Sequence, residues 1–85
     1  MNFGKAIEVL KNGEKVARQG WNGKGMFLLL AKNIEFTTDA DLSCMKDMPT
    51  STGQSIVMKT ATNDFVVGWL ASQTDLLAED WVIVE

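Results

Sequence analysis

Ser72-Gln73-Thr74-Asp75-Leu76-Leu77-Ala78-Glu79-Asp80-Trp81-Val82-Ile83-Val84 changes period partway along, and that change decides the fold class. Ser72 to Asp75 has the pattern of a helix-opening capping box, with Asp where Glu is usual. The helix it opens is short, expected over Thr74 to Asp80, with Leu76 and Leu77 turned inward as anchors. Trp81 to Val84 then reads as a strand rich in β-branched residues, with Trp81 better suited to the core than to a ligand. A short helix feeding a closing strand needs a sheet to join.

Upstream, Phe65 to Leu70 and Ile56 to Ala61 read as two strands separated by a Thr62-Asn63-Asp64 turn. Thr38 to Ser55 is polar and contains Pro49 and Gly53, and a single helical turn fits within Asp41 to Met48. A stretch this long in so small a chain reads either as a lid over a site or as a loose surface excursion. Met26 to Lys32 is an apolar strand with too little alternation to have one wet face. Ile34 to Thr37 alternates and extends or follows it. Val16 to Gln19 is another strand, and Asn22-Gly23 is a tight-turn signal.

Asn2 to Gly13 opens the chain as a helix. Asn2 caps it, Phe3, Ala6, Ile7 and Leu10 form its apolar stripe, and Asn12-Gly13 supplies a left-handed stop. The result is a single domain over residues 1–85 of α+β class. An N-terminal helix, a mostly antiparallel sheet and a short helix before a C-terminal strand make it up.

Eighty-five residues enclose a small core, yet 46 % of them are hydrophobic. The runs Met26 to Leu30 and Val66, Val67, Trp69, Leu70 are more than one such subunit can hide, which predicts a homo-oligomer. Eleven acidic against eight basic residues give a net charge of −3 and argue against a nucleic-acid duplex as partner. Cys44 is the only cysteine, so neither an internal disulfide nor a CxxC metal site is available. No secretory signal is evident, which makes the cytoplasm the expected compartment, and no apolar run is long enough to span a bilayer.

Histidine is absent, so the commonest general base and metal ligand is missing. Carboxylates come close together in sequence only at Asp39/Asp41 and Glu79/Asp80, and neither spacing favours a hydrolase. Gly20, Gly23 and Gly25 depart from the dinucleotide-binding pattern. No enzyme, cofactor or metal is expected.

Binding is better supported. Gly20-Trp21-Asn22-Gly23-Lys24-Gly25-Met26 and Trp69-Leu70-Ala71-Ser72-Gln73-Thr74-Asp75 each set an indole beside small residues, amides or hydroxyls. Indoles stack on flat heterocycles. Asn22 and Gln73 match donor and acceptor edges, and Gly23 and Gly25 let backbone amides approach phosphate. Lys24 and Arg18, the one arginine, add positive charge. Ser72 and Thr74 offer hydroxyls, and Asp75 either receives ribose hydroxyls or only caps its helix. Met26 and Phe27 alternate faces, so at most one faces a pocket. Each feature also has a plainer reading: Trp21 as core anchor, Asn22-Gly23 as turn, Ser72 to Asp75 as cap. The ligand-binding set is therefore Arg18, Trp21, Asn22, Gly23, Lys24, Gly25, Met26, Trp69, Ser72, Gln73, Thr74 and Asp75.

Four segments resemble a family of small phage and prophage proteins, the Thoeris anti-defence proteins of the second type. They are Met1-Asn2-Phe3 with the first helix, Val16 to Met26, Ile56 to Ala61, and Gly68 to Trp81. The resemblance implies a non-enzymatic sponge for the cyclic ADP-ribose isomer made by a TIR-domain sensor in the host bacterium. It also implies homotetramers with ligand held where subunits meet, and cyclic oligonucleotides as further ligands of some relatives. Two other readings stay open: a structural or protein-binding oligomer with no small ligand, and a phosphodiesterase-like enzyme that destroys the messenger.

Overall fold

The computed structural model describes residues 1–21, 25–32, 39–45 and 53–85. Its first element, α1, spans Phe3–Lys11. The Asn2 side chain accepts the Lys5 amide at 2.8 Å, satisfying one of the donors a helix start leaves over. At the other end Gly13, at φ 87°, releases the chain. Ala6, Val9 and Leu10 are buried, while Phe3 and Ile7 pack against the same core from its edge. Val9 was not in the expected stripe; it falls three residues after Ala6 and shares its face.

Five strands follow: β1 (Lys15–Arg18), β2 (Phe27–Lys32), β3 (Gln54–Lys59), β4 (Phe65–Val67) and β5 (Trp81–Val84). They form one sheet in the order β4-β3-β2-β1-β5, every pairing antiparallel. A helix α2 (Gln73–Leu77) precedes β5. The expected α+β fold, with its opening helix, antiparallel sheet and short helix before the last strand, is what the chain adopts.

One face of the sheet carries the core. Val16, Leu28 and Trp81, from three adjacent strands, close against Ala6, Val9 and Leu10 of α1, with Trp81 only 1 % exposed. Side chains alternate across a strand, so Lys15, Phe27 and Lys59 belong to the opposite face. Ala17, also on that face, is nevertheless buried beside Val16.

Several boundaries differ from the sequence reading. β3 begins two residues earlier than Ile56 and ends at Lys59. There Thr60 starts a turn closed by its amide on the Asp64 carbonyl at 2.8 Å, with Asn63 at φ 67°. β4 stops at Val67 instead of Leu70, because Gly68 takes φ 83° and swings the chain off the ladder. The Gly68 and Trp69 amides both then donate to the Ile56 carbonyl, at 3.1 and 2.9 Å.

Helix α2 ends at Leu77 instead of Asp80. Ala78 is already extended, and the Trp81 indole Nε1 donates to the Asp75 carbonyl at 3.0 Å, taking an acceptor near the helix end. The expectation that Leu76 and Leu77 point inward is wrong. They are 48 % and 80 % exposed, since the Trp81 indole occupies the interior beside the helix. A single turn of 3-10 helix, Ser43–Met45, lies within the stretch where one helical turn was expected. The expected strand Ile34 to Thr37, the Asn22-Gly23 turn and, of the Thr38 to Ser55 stretch, residues 38 and 46–52 fall outside the described residues.

The two apolar runs part company. Leu28 is buried and its neighbours Met26 to Leu30 are half-covered, whereas Phe65, Val66, Val67 and Leu70 are exposed in the single subunit.

Candidate functional site

The two Trp-bearing segments meet within one chain. Trp21, just after β1, and Trp69, just after β4, have ring centroids 6.5 Å apart and stand nearly edge-on at 62°. Trp81 lies beneath both, 5.5 Å from Trp21 and 6.2 Å from Trp69, at 81° and 85°. Phe3 closes the group at 5.5 Å from Trp81 and 6.5 Å from Trp69. Edge-to-face packing suits the ring quadrupole, so each Trp–Trp contact adds orientation as well as burial. The buried Trp81 is the floor of this cluster. Trp21 and Trp69 are half-exposed and present part of their surface to solvent.

An ionic clasp holds the two segments in place. Arg18 ends β1, and its Nε donates to Asp80 Oδ1 at 2.9 Å while Nη1 donates to Asp75 Oδ1 at 3.0 Å. Asp75 is a double anchor. Its Oδ2 accepts from the Ser72 amide at 3.0 Å and from the Ser72 hydroxyl at 2.8 Å. The Ser72 hydroxyl oxygen in turn accepts the Asp75 amide at 3.2 Å, completing the capping box that the sequence announced.

Both carboxyls sit below the ordinary carboxylate range. Burial alone would raise Asp75, but the Ser72 amide and hydroxyl, then Arg18, together outweigh it. Asp80 is lowered chiefly by its bond from Arg18. The Arg18 guanidinium is correspondingly raised, first by Asp80 and then by Asp75. Its charge is thus met within the chain, and its role here is to tie β1 to the α2–β5 junction. The backbone repeats the tie: the Gln19 amide donates to the Asp80 carbonyl at 3.2 Å, and the Trp81 amide to the Met1 carbonyl at 3.2 Å.

The remaining residues of the sequence-derived set are placed as follows. Ser72, Gln73 and Thr74 are exposed where α2 opens, in the segment that follows Trp69. Gly25 is exposed at φ 79°, and Met26 is half-buried before β2. Asn22, Gly23 and Lys24 lie outside the described residues. One residue that the sequence did not single out is Lys59, whose Nζ donates to the Gly25 carbonyl at 2.9 Å. It reaches there because β3 pairs Lys59 directly with Phe27, two residues beyond Gly25. Nothing in the linear pattern announces that register.

Chemically, the arrangement offers two partly open indoles with exposed amide and hydroxyl groups on the adjoining segment. Such a set suits a planar ring with polar edges. Among the described residues no three His, Cys, Asp or Glu side chains are grouped so as to hold a metal, and no helix is long and apolar enough to cross a membrane.

A family model described as Thoeris anti-defense 2-like domain matches residues 1–84. A protein named Thoeris anti-defense 2, from Bacillus phage SP01, is 46 % identical over 85 residues, covering 99 % of this chain and 94 % of that protein.

Proposed function

The chain belongs to the Thoeris anti-defense 2-like family, and from that membership we propose that it is a sponge. It binds a cyclic nucleotide immune messenger, a cyclic ADP-ribose isomer made by a TIR-domain sensor, and holds it without cleaving it. Cyclic oligonucleotides are second candidates. The observation that carries this reading is the meeting of Trp21 and Trp69 in one subunit, each half-exposed over the Trp81 floor.

In this reading Trp21 stacks on the base, and Trp69 forms the adjoining wall. Asn22, Gly23, Lys24 and Gly25 make polar and phosphate contacts. Ser72, Gln73 and Thr74 read the polar edges, and Met26 contributes apolar contact. Arg18 and Asp75 hold the two segments at the right spacing. The chain works in the cytoplasm of the host bacterium as a homo-oligomer, a tetramer by analogy with the family, with ligand held where subunits meet. The exposed Phe65, Val66 and Val67 supply apolar surface for that assembly.

Sequestration needs affinity and amount, not turnover. With free sites at about 100 times Kd, about 1 % of the messenger stays unbound. Purified protein is incubated with a cyclic ADP-ribose isomer, freed of unbound ligand, and heated. Intact messenger in the supernatant is the expected result. A cleaved product would make the chain an enzyme, and no depletion would leave a structural or protein-binding oligomer. Trp21→Ala is expected to stay folded while losing capture; unchanged capture would refute stacking by this indole.

A further inference from the structure

On the face of the sheet away from α1, two ammonium groups converge on one aromatic ring. Lys15 Nζ lies 5.1 Å from the Phe27 ring centroid and Lys59 Nζ lies 5.6 Å from it. The register explains the convergence. Phe27 stands directly opposite Lys59 on β3, and Val16 pairs with Leu28 on the other side, which sets Lys15 diagonal to Phe27.

We propose that Lys15 and Lys59, seated on Phe27, form a binding site for a phosphate group of a small ligand, distinct from the indole cluster on the other face. The charge pattern is the main argument. The chain has more acidic than basic residues. Yet neither Lys15 nor Lys59 pairs with a carboxylate among the described residues, while Lys5 and Arg18 both do. Like charges within reach of one ring repel each other, and the attraction of the ring face only partly offsets this. A shared anion reverses the sign of the arrangement.

The geometry also restricts the ligand. Lys59 spends one donor on the Gly25 carbonyl, which fixes its ammonium while two donors stay open. Both lysines are half-buried. Two point-like ammoniums approaching from different strands suit an anion with oxygens on several sides, as phosphate has. The planar two-oxygen edge of a carboxylate matches the fork of an arginine better.

The site touches the sponge reading only at Gly25 and is tested without the messenger. Inorganic pyrophosphate is titrated into the protein at low ionic strength while the lysine side-chain and Phe27 signals are followed by NMR. Saturable shifts at Lys15, Lys59 and Phe27 are expected. Lys15→Gln and Lys59→Gln, which keep the stems over the ring, each weaken binding about three- to fivefold, a change typical of one exposed charge contact. Lys15→Arg and Lys59→Arg retain it, and Lys11→Gln, on α1, controls for net charge. ADP run in parallel identifies the source of the phosphate: tighter binding than pyrophosphate, with the same lysine dependence, points to a nucleotide, and equal binding to the free anion.

Absence of saturable shifts, or equal weakening by Lys11→Gln and Lys59→Gln, overturns the proposal. Messenger capture without pyrophosphate binding would sink this site and spare the sponge. Pyrophosphate binding without messenger capture would do the reverse.

Discussion

Trp81→Phe separates the floor of the aromatic cluster from its open rim. The substitution puts a single ring where the indole has two fused ones, in a position only 1 % exposed, and removes the N–H. One lost term is the bond from Nε1 to the Asp75 carbonyl, worth about 1 kcal/mol net. That carbonyl keeps a second donor, the Ala78 amide at 3.4 Å, so no orphaned acceptor adds to the cost. The other term is the space left among Phe3, Trp21, Trp69 and α1, about 1–2 kcal/mol for three missing ring atoms. The sum, about 2–3 kcal/mol, corresponds in a domain of this size to a Tm lower by about 8–24 °C. Thermal unfolding followed by circular dichroism at one fixed protein concentration measures it. A fall of less than about 4 °C would refute the assignment of Trp81 as the structural floor.

Three other outcomes are expected. Asp75 and Asp80 lie below the ordinary carboxylate value of 3.8, so their contribution to stability is complete above that value and is lost as pH falls through their folded values. Urea midpoints should therefore drop on acidification below about pH 4, and Arg18→Gln should flatten that drop; an equally steep profile in the variant would dismiss the clasp. Gly25→Ala forces a left-handed φ of 79° on a residue whose new Cβ would lie 3.2 Å from Lys59 Nζ, and should cost about 1 kcal/mol in denaturant titration. Val66→Lys puts a charge on the exposed edge strand β4, and is expected to shift the chain toward monomer in sedimentation velocity without altering its circular dichroism. An unchanged sedimentation coefficient would remove β4 from the proposed assembly surface.

Features written in neighbouring residues were readable from the sequence. Asn2, the Ser72–Asp75 box and the stop at Gly13 are local hydrogen-bonding and φ requirements, and each appears in the structure as expected. The strand at Met26 to Lys32 and the buried Trp81 followed from apolar content alone. What depended on register was not readable. The sequence does not say that Lys59 stands opposite Phe27 and so reaches Gly25, or that Arg18 finds its two carboxylates 57 and 62 residues away. Leu76 and Leu77 misled for a related reason. Two leucines in a short helix read as anchors until a bulkier indole from β5 occupies the interior. Nor does the sequence say that Trp21 and Trp69 meet, and one subunit suffices for the two rings to do so.

The pairing of β1 with β5 has a consequence for how the chain reaches this state. Lys15 lies against Val84 and Arg18 against Trp81, so strands from opposite ends of the sequence sit side by side. On a ribosome moving at about 5–20 residues per second, β1 waits several seconds for its neighbour. Until Trp81 emerges, α1 and β2 lack the indole that completes their core, and an apolar helix face stays uncovered. Such long-range closure slows folding relative to a chain of local contacts. A chain truncated before Trp81 should accordingly be open to protease, and one that includes β5 should resist it.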